Sequence, residues 1–371
     1  MRIDPTAGSD RASNNFEALR WIAASAVILA HAWGLRGQAG AYERATGLDL
    51  GWSAVVMFFA LSGYLISASA GRRAPSAFWT ARILRIFPGL LVSTFLTALA
   101  VSAVSRFDAH AYFTSAQTWK FVFGTGTLLG TEYALPGAFE HNVSTQANGS
   151  LWTLRYEVAC YAIIFAMVWA ARRTRLDFGL AALVGALGCA AAHAAILASG
   201  RPAPVQITNI LSLFVPFALG AFFQARRTSP RLWQVAAGLA AAAALARTPL
   251  YTCAAASAIA LLTLWLAHTK NRALSAISAL PDYSYGIYIY AYPIQQIVIL
   301  TTPGLPPLAQ AAASFVLTLV PAALSWHFIE APAMALKSRR PPSPASSPAR
   351  VSDIRADRDR IEASNPLLLL R

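Results

Sequence analysis

Residues 178–198 read FGLAALVGALGCAAAHAAILA, a run of 21 residues without Asp, Glu, Lys or Arg. An α-helix of about 20 apolar residues is long enough to cross the ~30 Å hydrocarbon core of a bilayer. Inside lipid the backbone polar groups must be satisfied within the segment itself, which a helix achieves. The stretch therefore predicts a transmembrane helix and an integral membrane protein.

The composition extends this prediction to the whole chain. Of 371 residues, 56% are hydrophobic and 12% are charged, whereas soluble domains carry about 25% charged residues. The formal net charge of +14 is also typical of nucleic-acid-binding proteins, but the basic residues occur in short bursts between apolar runs. We therefore expect membrane lipid and not nucleic acid as a partner. Three cysteines without regular spacing predict neither disulfides nor a metal site.

Nine further runs have the length or composition of membrane spans. The ten predicted spans lie near residues 16–33, 51–70, 86–105, 150–170, 178–198, 205–224, 232–246, 250–268, 283–301 and 308–330. The apolar, glycine-interrupted stretch 117–135 is interpreted as part of a long loop at the membrane, with an extra span as the alternative. The predicted fold is an all-α integral membrane bundle of about ten transmembrane helices.

The basic residues orient this bundle, because cytoplasmic connections carry an excess of Lys and Arg. The even-numbered connections hold about twice as many as the odd-numbered ones, namely Arg72, Arg73, Arg82, Arg85, Arg172, Arg173, Arg175, Arg226, Arg227, Arg231, Lys270 and Arg272, against Arg36, Arg44, Arg106, Lys120, Arg201 and Arg247. Lys337, Arg339 and Arg340 follow the last span. The pattern predicts that both termini are cytoplasmic.

The predicted domain organisation is correspondingly simple. Residues 1–15 form a cytoplasmic N-terminal segment, and residues 16–336 form one membrane domain with an extracytoplasmic loop at 106–149. Residues 337–371 are basic and rich in Pro and Ser, a composition that predicts a disordered cytoplasmic tail.

Two ionisable residues lie in the first span. Arg20 and His31 are eleven residues apart, which places both on one helix face, with ~16 Å between them along the axis. Ionisable groups at such positions are candidates for function because they are costly in lipid. The alternative is structural, with Arg20 extending to the headgroups and His31 capping the helix at the interface.

A carboxylate occurs in the outer half of the fourth span. Glu157 follows Thr153 by one helical turn and needs a partner at that depth. A pair with His31 would fix the imidazole tautomer and raise its basicity, as needed to deprotonate an alcohol. The alternative is a structural ion pair of Glu157 with Arg155 or His31. We predict His31 and Glu157 as catalytic residues.

The remaining candidates are basic or hydroxyl-bearing. Arg82 and Arg85 share a helix face at the cytoplasmic end, where paired guanidinium groups suit a phosphate-rich ligand, although topology or lipid headgroups also explain them. The ninth span carries a polar-tipped stripe at Tyr285, Tyr288, Tyr292 and Gln295, which indicates a cavity lining. The predicted acceptor-binding residues are Ser150, Trp152, Thr153, Tyr288 and Tyr292.

Several segments together resemble the membrane-bound acyltransferase family 3, the group that contains O-antigen and Nod-factor acetylases. The first span resembles its Arg-x10-His helix, and Arg82-Ile-Leu-Arg85 resembles its Arg-x-x-Arg element. The other similar segments are GWSAVVMFFALSGYLIS (51–67), SLWTLRYEVACY (150–161, with Glu157), YSYGIYIYAYP (283–293) and WHFIEAPAM (326–334, with Glu330). The resemblance covers roughly residues 14–336. Ala291 departs from it, because many members have His there.

The resemblance implies a ten-helix acyltransferase of the bacterial inner membrane. It would take an acyl group, usually acetyl, from coenzyme A on the cytoplasmic side, with no permanently bound cofactor, and pass it to a hydroxyl of a carbohydrate or glycolipid. Arg20, Arg82 and Arg85 would then bind acetyl-CoA. The alternative function is a multi-span transporter or flippase for a glycan or lipid-linked substrate, in which the same buried charges line a translocation pathway.

Overall fold

The computed structural model describes residues 15–339. This part of the chain is helical, and its one β-bridge joins Ala134 to Gln146. Ten helices correspond one to one to the predicted spans and are named in chain order: α1 Phe16–Gly34, α2 Leu50–Ala70, α3 Pro75–Ser102, α4 Trp152–Thr174, α5 Phe178–Ala198, α6 Val205–Arg226, α7 Leu232–Ala244, α8 Tyr251–His268, α9 Ser284–Thr301 and α10 Pro307–Ser325.

Seven of these helices are long and apolar enough to cross a membrane, namely α2, α3, α4, α5, α6, α8 and α10. Helices α1 and α9 have 19 and 18 residues, and their apolar runs are interrupted by inward-facing polar side chains such as Arg20 and Gln295. Helix α7 has 13 residues, about 20 Å of helix, and is shorter than the hydrocarbon core. The predicted class, an all-α membrane bundle, is confirmed.

Helix α3 differs from its predicted bounds. It begins at Pro75 and not near residue 86, so Arg82 and Arg85 lie inside a 28-residue helix and not in a connection before it. Proline is well tolerated at the first position of a helix, where its missing N–H is not needed. The hydropathy of the sequence placed the start too late because polar residues at this end of α3 face a cavity and not lipid.

Helix α2 is the centre of the bundle. In an apolar stretch of 18 residues from each helix, 72% of the α2 residues are buried inside the protein, against 22% for α5 at the periphery. Gly63 of α2 and Gly220 of α6 allow the two helices to touch, because a Cβ at either position would overlap the opposing carbonyl, that of Phe217 or of Ala60. Small residues at helix interfaces are the usual means of close packing in membranes.

The long loop between α3 and α4 is folded against the bundle. Its stretch 117–135 contains the short helix Ala116–Trp119 and the π-helix Lys120–Thr125, and it forms no span. The hydroxyl of Thr94 in α3 donates to the carbonyl of Val122 at 3.0 Å, and Gln296 of α9 donates to two carbonyls of the loop. The loop therefore covers one end of α3 and α9.

The two predicted terminal segments lie almost entirely outside residues 15–339. The predicted N-terminal segment lies outside the described residues except for Asn15, and the predicted tail lies outside them except for residues 337–339, which belong to the 3-10 turn Leu336–Arg339. The orientation of the bundle in the membrane stays a prediction from the basic residues.

Candidate functional site

Two adjoining cavities lie inside the bundle. The larger has a volume of about 250 Å³ and the smaller about 80 Å³, and both are lined by Val55 of α2 and Tyr288 of α9. Arg82 and Glu157 line the larger cavity, whereas His31 lines the smaller one. We call them the arginine cavity and the histidine cavity.

The arginine cavity brings together the three arginines that the sequence singled out. Arg20 comes from α1, and Arg82 and Arg85 come from neighbouring turns of α3. Two further basic side chains, Arg73 and Lys337, complete its basic lining. Cations from three parts of the chain thus converge on one space, which is the arrangement that an anionic ligand requires.

Arg85 and Arg20 are held by carboxylates. Arg85 donates to Asp282 at 2.6 Å and to the buried Glu330 at 3.3 Å. Arg20 lies 3.3 Å from Glu17 and 3.9 Å from the same Asp282 oxygen. Burial raises the pKa of the Asp282 carboxyl, but the guanidinium groups of Arg85 and Arg20 outweigh it and hold that pKa below its usual value. Asp282 therefore remains ionised and joins α1, α3 and the start of α9.

Arg82 is held differently. Its guanidinium lies 4.3 Å from the centre of the Phe78 ring and donates to the Phe78 carbonyl at 3.2 Å. Among the residues that the structure describes, no carboxylate forms an ion pair with Arg82. Its charge is therefore the least neutralised of the three and the most available to a phosphate group.

Glu157 belongs to the arginine cavity. One carboxylate oxygen accepts hydrogen bonds from Ser62 at 2.8 Å and from Tyr161 at 2.5 Å. The predicted pair of Glu157 with His31 is therefore wrong. The alternative partner Arg155 points elsewhere, to the carbonyl of Gly130 at 3.4 Å.

Glu157 and His31 do not pair because they lie at different depths in the bundle. The helical pattern predicted the face on which each residue lies, but it did not fix the level at which two helices meet. Asp49, which shares the cavity of His31, starts α2, whereas Ser62 lies 13 residues further along, about 20 Å of helix rise. Glu157 thus reaches a different level of the bundle from His31.

His31 faces groups that the sequence did not pair with it. Its ring meets the Tyr292 ring edge-on at 5.0 Å between centroids, and its imidazole interacts with the Asp49 carboxylate and the Gln295 side chain. Asp49 also caps α2 by accepting from the N–H of Trp52 at 2.7 Å. The buried Nδ1 of His31 has no hydrogen-bond partner. The ring therefore keeps free bonding capacity beside the histidine cavity.

The hydroxyl of Tyr288 marks the junction of the two cavities. It donates to the carbonyl of Ser150 at 2.6 Å and is 2.6 Å from the hydroxyl of Thr153. Ser150 and Trp152 line the histidine cavity, and Thr153 lines the arginine cavity. The start of α4 and the short 3-10 turn Gly149–Leu151 before it therefore contribute to both spaces, with Tyr288 between them.

The predicted stripe on α9 lies inside the protein, but only its members Tyr285 and Tyr288 line a cavity. Tyr288, Tyr292 and Gln295 are buried inside the protein, and Tyr285 lines the arginine cavity. The hydroxyl of Tyr292 lies 2.9 Å from that of Ser144 in the long loop. The loop thus contacts the tyrosine that packs against the His31 ring.

Sequence reasoning missed three residues that the structure adds. Asp49 and Asp282 lie just outside predicted spans, where a carboxylate usually caps a helix, and only the fold places them beside His31 and Arg85. Gln295 was recognised as part of the stripe but was given no role. Between residues 15 and 339, no cluster of three His, Cys, Asp or Glu side chains could hold a metal ion.

The chain is similar to known proteins over most of its length. Residues 13–327 match the model of the acyltransferase 3 family, which is described as an acyltransferase domain. The chain is 30% identical over 334 residues to an O-acetyl transferase of Shigella phage Sf6, covering 86% of this chain and 95% of the relative. It is 28% identical over 361 residues to nodulation protein 10 of Rhizobium leguminosarum bv. viciae, covering 88% and 94%. No solved structure gives a significant match.

Proposed function

This chain belongs to the acyltransferase 3 family and is a multi-pass membrane O-acyltransferase; we propose that it transfers an acetyl group from cytoplasmic acetyl-CoA to a hydroxyl of a carbohydrate or glycolipid on the opposite side. The observation that carries this proposal is the pair of unlike cavities that meet at Tyr288. One is lined by cations, and the other contains an imidazole with free bonding capacity.

The arginine cavity is the proposed donor site. The positive-inside pattern predicts that its end of the bundle faces the cytoplasm, where acyl-CoA is present. The phosphates would bind first to Arg82, with Arg20 and Arg85 oriented behind it by Asp282. The ~16 Å along α1 from Arg20 to His31 is comparable with the length of a pantetheine arm, so the thioester would reach the junction at Tyr288.

The histidine cavity is the proposed acceptor site. His31 would take the proton of the acceptor hydroxyl while its oxygen attacks the thioester carbonyl. The carbon–sulfur bond then breaks, and the thiolate leaves as CoA and receives the proton. Ser150, Trp152 and Tyr292 would position the acceptor, and Thr153 and Tyr288 would hold the wall between the two substrates.

Glu157 has a proposed role in the donor cavity and not as the partner of His31. Its carboxylate is fixed by Ser62 and Tyr161 on the wall of the donor cavity. There it would balance the charge of the surrounding arginines and keep the cavity polar along the path of the thioester.

The name of one relative supports transfer of an acetyl group to a hydroxyl. The phage protein is named an O-acetyl transferase and the rhizobial one a nodulation protein. We propose a cell-surface glycan such as O-antigen as the acceptor and the bacterial inner membrane as the location.

The test is reconstitution in liposomes with acetyl-CoA labelled in its acetyl group. We expect one free CoA thiol for each ester formed on an added surface glycan, with the two substrates supplied on opposite sides. Protein-free liposomes are the control. Movement of the glycan across the bilayer without release of CoA would instead show a transporter and would overturn the proposal.

A further inference from the structure

Gln295 is a fully buried polar side chain whose amide is held by its nitrogen end. It lies in α9, and its Nε2 donates to the carbonyl of Ile28 in α1 at 2.8 Å. Ile28 precedes His31 by one helical turn. Because of this bond, the Gln295 side chain crosses from α9 to the face of α1 that carries the imidazole.

Two buried atoms at this contact have no hydrogen-bond partner. They are Nδ1 of His31 and Oε1 of Gln295. The two side chains interact with each other, so the unpartnered atoms belong to neighbouring groups. A buried polar atom without a partner is destabilising, and a small rotation of the imidazole would pair the two atoms.

The chemistry of the two atoms decides which one carries the proton. An amide oxygen only accepts, whereas either ring nitrogen of a neutral imidazole can donate. A reversed amide would place its oxygen against the carbonyl oxygen of Ile28 and lose the bond at 2.8 Å. The amide orientation is therefore set by α1, and the atom that it offers to His31 is an acceptor.

We propose that Gln295 is a positioning residue that accepts the Nδ1–H of His31 and so leaves the unprotonated Nε2 for the acceptor hydroxyl. In histidine catalysis, the hydrogen bond of one ring nitrogen determines which form the other takes. The inference rests on the proposed function only in its last step, the use of Nε2 as a base.

A neutral amide suits this place better than a second carboxylate would. Asp49 already faces the imidazole from the start of α2, and the other titratable groups around it are Tyr292 and Tyr288 of α9. A further buried charge would carry a large desolvation cost within the membrane. Gln295 supplies an acceptor without that cost.

The first test uses two substitutions at position 295. Gln295→Met removes the acceptor at similar volume, and we expect kcat to fall about 10–100-fold with KM for acetyl-CoA unchanged, the usual effect of losing a residue that orients a histidine. Gln295→Glu loses the donor to Ile28, as Gln295→Met does, but it keeps an acceptor for His31 and adds a negative charge that favours the imidazolium. We expect it to retain more of kcat than Gln295→Met and to move the acid limb of the kcat–pH profile to higher pH.

The matched control is Gln310→Met. Gln310 is also fully buried, but it accepts from Arg36 at 2.8 Å and lines neither cavity. We expect this substitution to lower stability and to leave the pH profile in place. Wild-type kcat in Gln295→Met, or an unmoved acid limb in Gln295→Glu, would overturn the role of Gln295.

A second readout does not depend on activity. Nitrogen-15 labelling of histidine in nanodiscs reports the tautomer of each ring, and the signal that disappears in His31→Ala is that of His31. We expect His31 to carry its proton on Nδ1, and we expect a mixture of tautomers in Gln295→Met. A proton on Nε2 in the wild type would refute the inference even if acyl transfer is confirmed. Failure of acyl transfer alone would refute the proposed function and leave the tautomer assignment intact.

Discussion

The polar residues of the two cavities differ in whether their side chains have hydrogen-bond or ion-pair partners. In the arginine cavity most charged groups have partners: Asp282 and Glu330 hold Arg85, and Ser62 and Tyr161 hold Glu157. In the histidine cavity, Oγ of Ser150 is buried without a partner, and Nδ1 of His31 and Oε1 of the neighbouring Gln295 have no partner beyond the one that we propose they give each other. Satisfied networks make a structure rigid, whereas unused bonding capacity is what a substrate can engage.

Removal of the imidazole should have the largest effect, because the comparison makes His31 the reacting group. We expect His31→Ala to lower kcat by about 10²–10⁴-fold, the usual contribution of general base catalysis, with KM for acetyl-CoA unchanged. Steady-state transfer in liposomes measures both constants. His193→Ala is the matched control, since His193 is also buried with an unpartnered Nδ1 but lines neither cavity. Equal activity of the two variants would contradict the assignment.

Asp282→Asn should lower the stability of the protein, because the ion pairs of Asp282 join helices around the arginine cavity. The change leaves Arg85 and Arg20 without their shared carboxylate, which costs about 3 kcal/mol for a buried pair. We expect a lower thermal unfolding temperature in detergent. Because the folded-state pKa of Asp282 is lowered, its contribution is present at neutral pH and is lost as the pH falls through that pKa.

Asp177→Asn is the control for this change. Asp177 pairs with Arg226 on the exposed surface at 2.9 Å, and asparagine is an equally good cap for α5. We expect it to lower the unfolding temperature far less than Asp282→Asn does, because exposed ion pairs are screened by solvent. Comparable losses in the two variants would show that Asp282 does not tie the helices together.

Arg82→Gln should weaken donor binding, because Arg82, unlike Arg20 and Arg85, has no described carboxylate partner. A charge-assisted hydrogen bond contributes about 1.5–3 kcal/mol, so we expect KM for acetyl-CoA to rise about tenfold or more with little change in kcat. The increase should shrink at high salt. Arg173→Gln is the control, since Arg173 is exposed and stacks on Trp169. An unchanged KM in Arg82→Gln would remove Arg82 from the donor site.

Tyr288→Phe should have the smallest effect and should test the junction itself. It removes the bonds to Ser150 and Thr153, at about 1 kcal/mol each. We expect kcat to fall about fivefold, as the wall between the substrates loosens. Tyr112→Phe loses a comparable buried bond, to the carbonyl of Ala98, outside both cavities. Its kcat should remain near that of the wild type, and a fall equal to that of Tyr288→Phe would contradict a special role for the junction.

Much of this arrangement could be predicted from residues on single helices. The length of each apolar run determined the ten helices, and helical periodicity placed Tyr288, Tyr292 and Gln295 on one inward face. The same reasoning placed Arg82 and Arg85 together. It failed for the start of α3 and for the pair of His31 with Glu157, because both depend on what another helix presents at the same level.

The sequence by itself determined that the chain is a membrane bundle, because a run such as 178–198 has few stable environments other than lipid. It also determined which faces of α1, α3, α4 and α9 carry polar groups, since these follow from 3.6 residues per turn. Only the tertiary structure decided how those faces meet. It places Asp49 and Gln295 beside His31, Asp282 beside Arg85, and Ser62 beside Glu157. Pairing across helices depends on their relative depth and rotation, which close contacts such as Gly63 with Phe217 fix and a single helix does not encode.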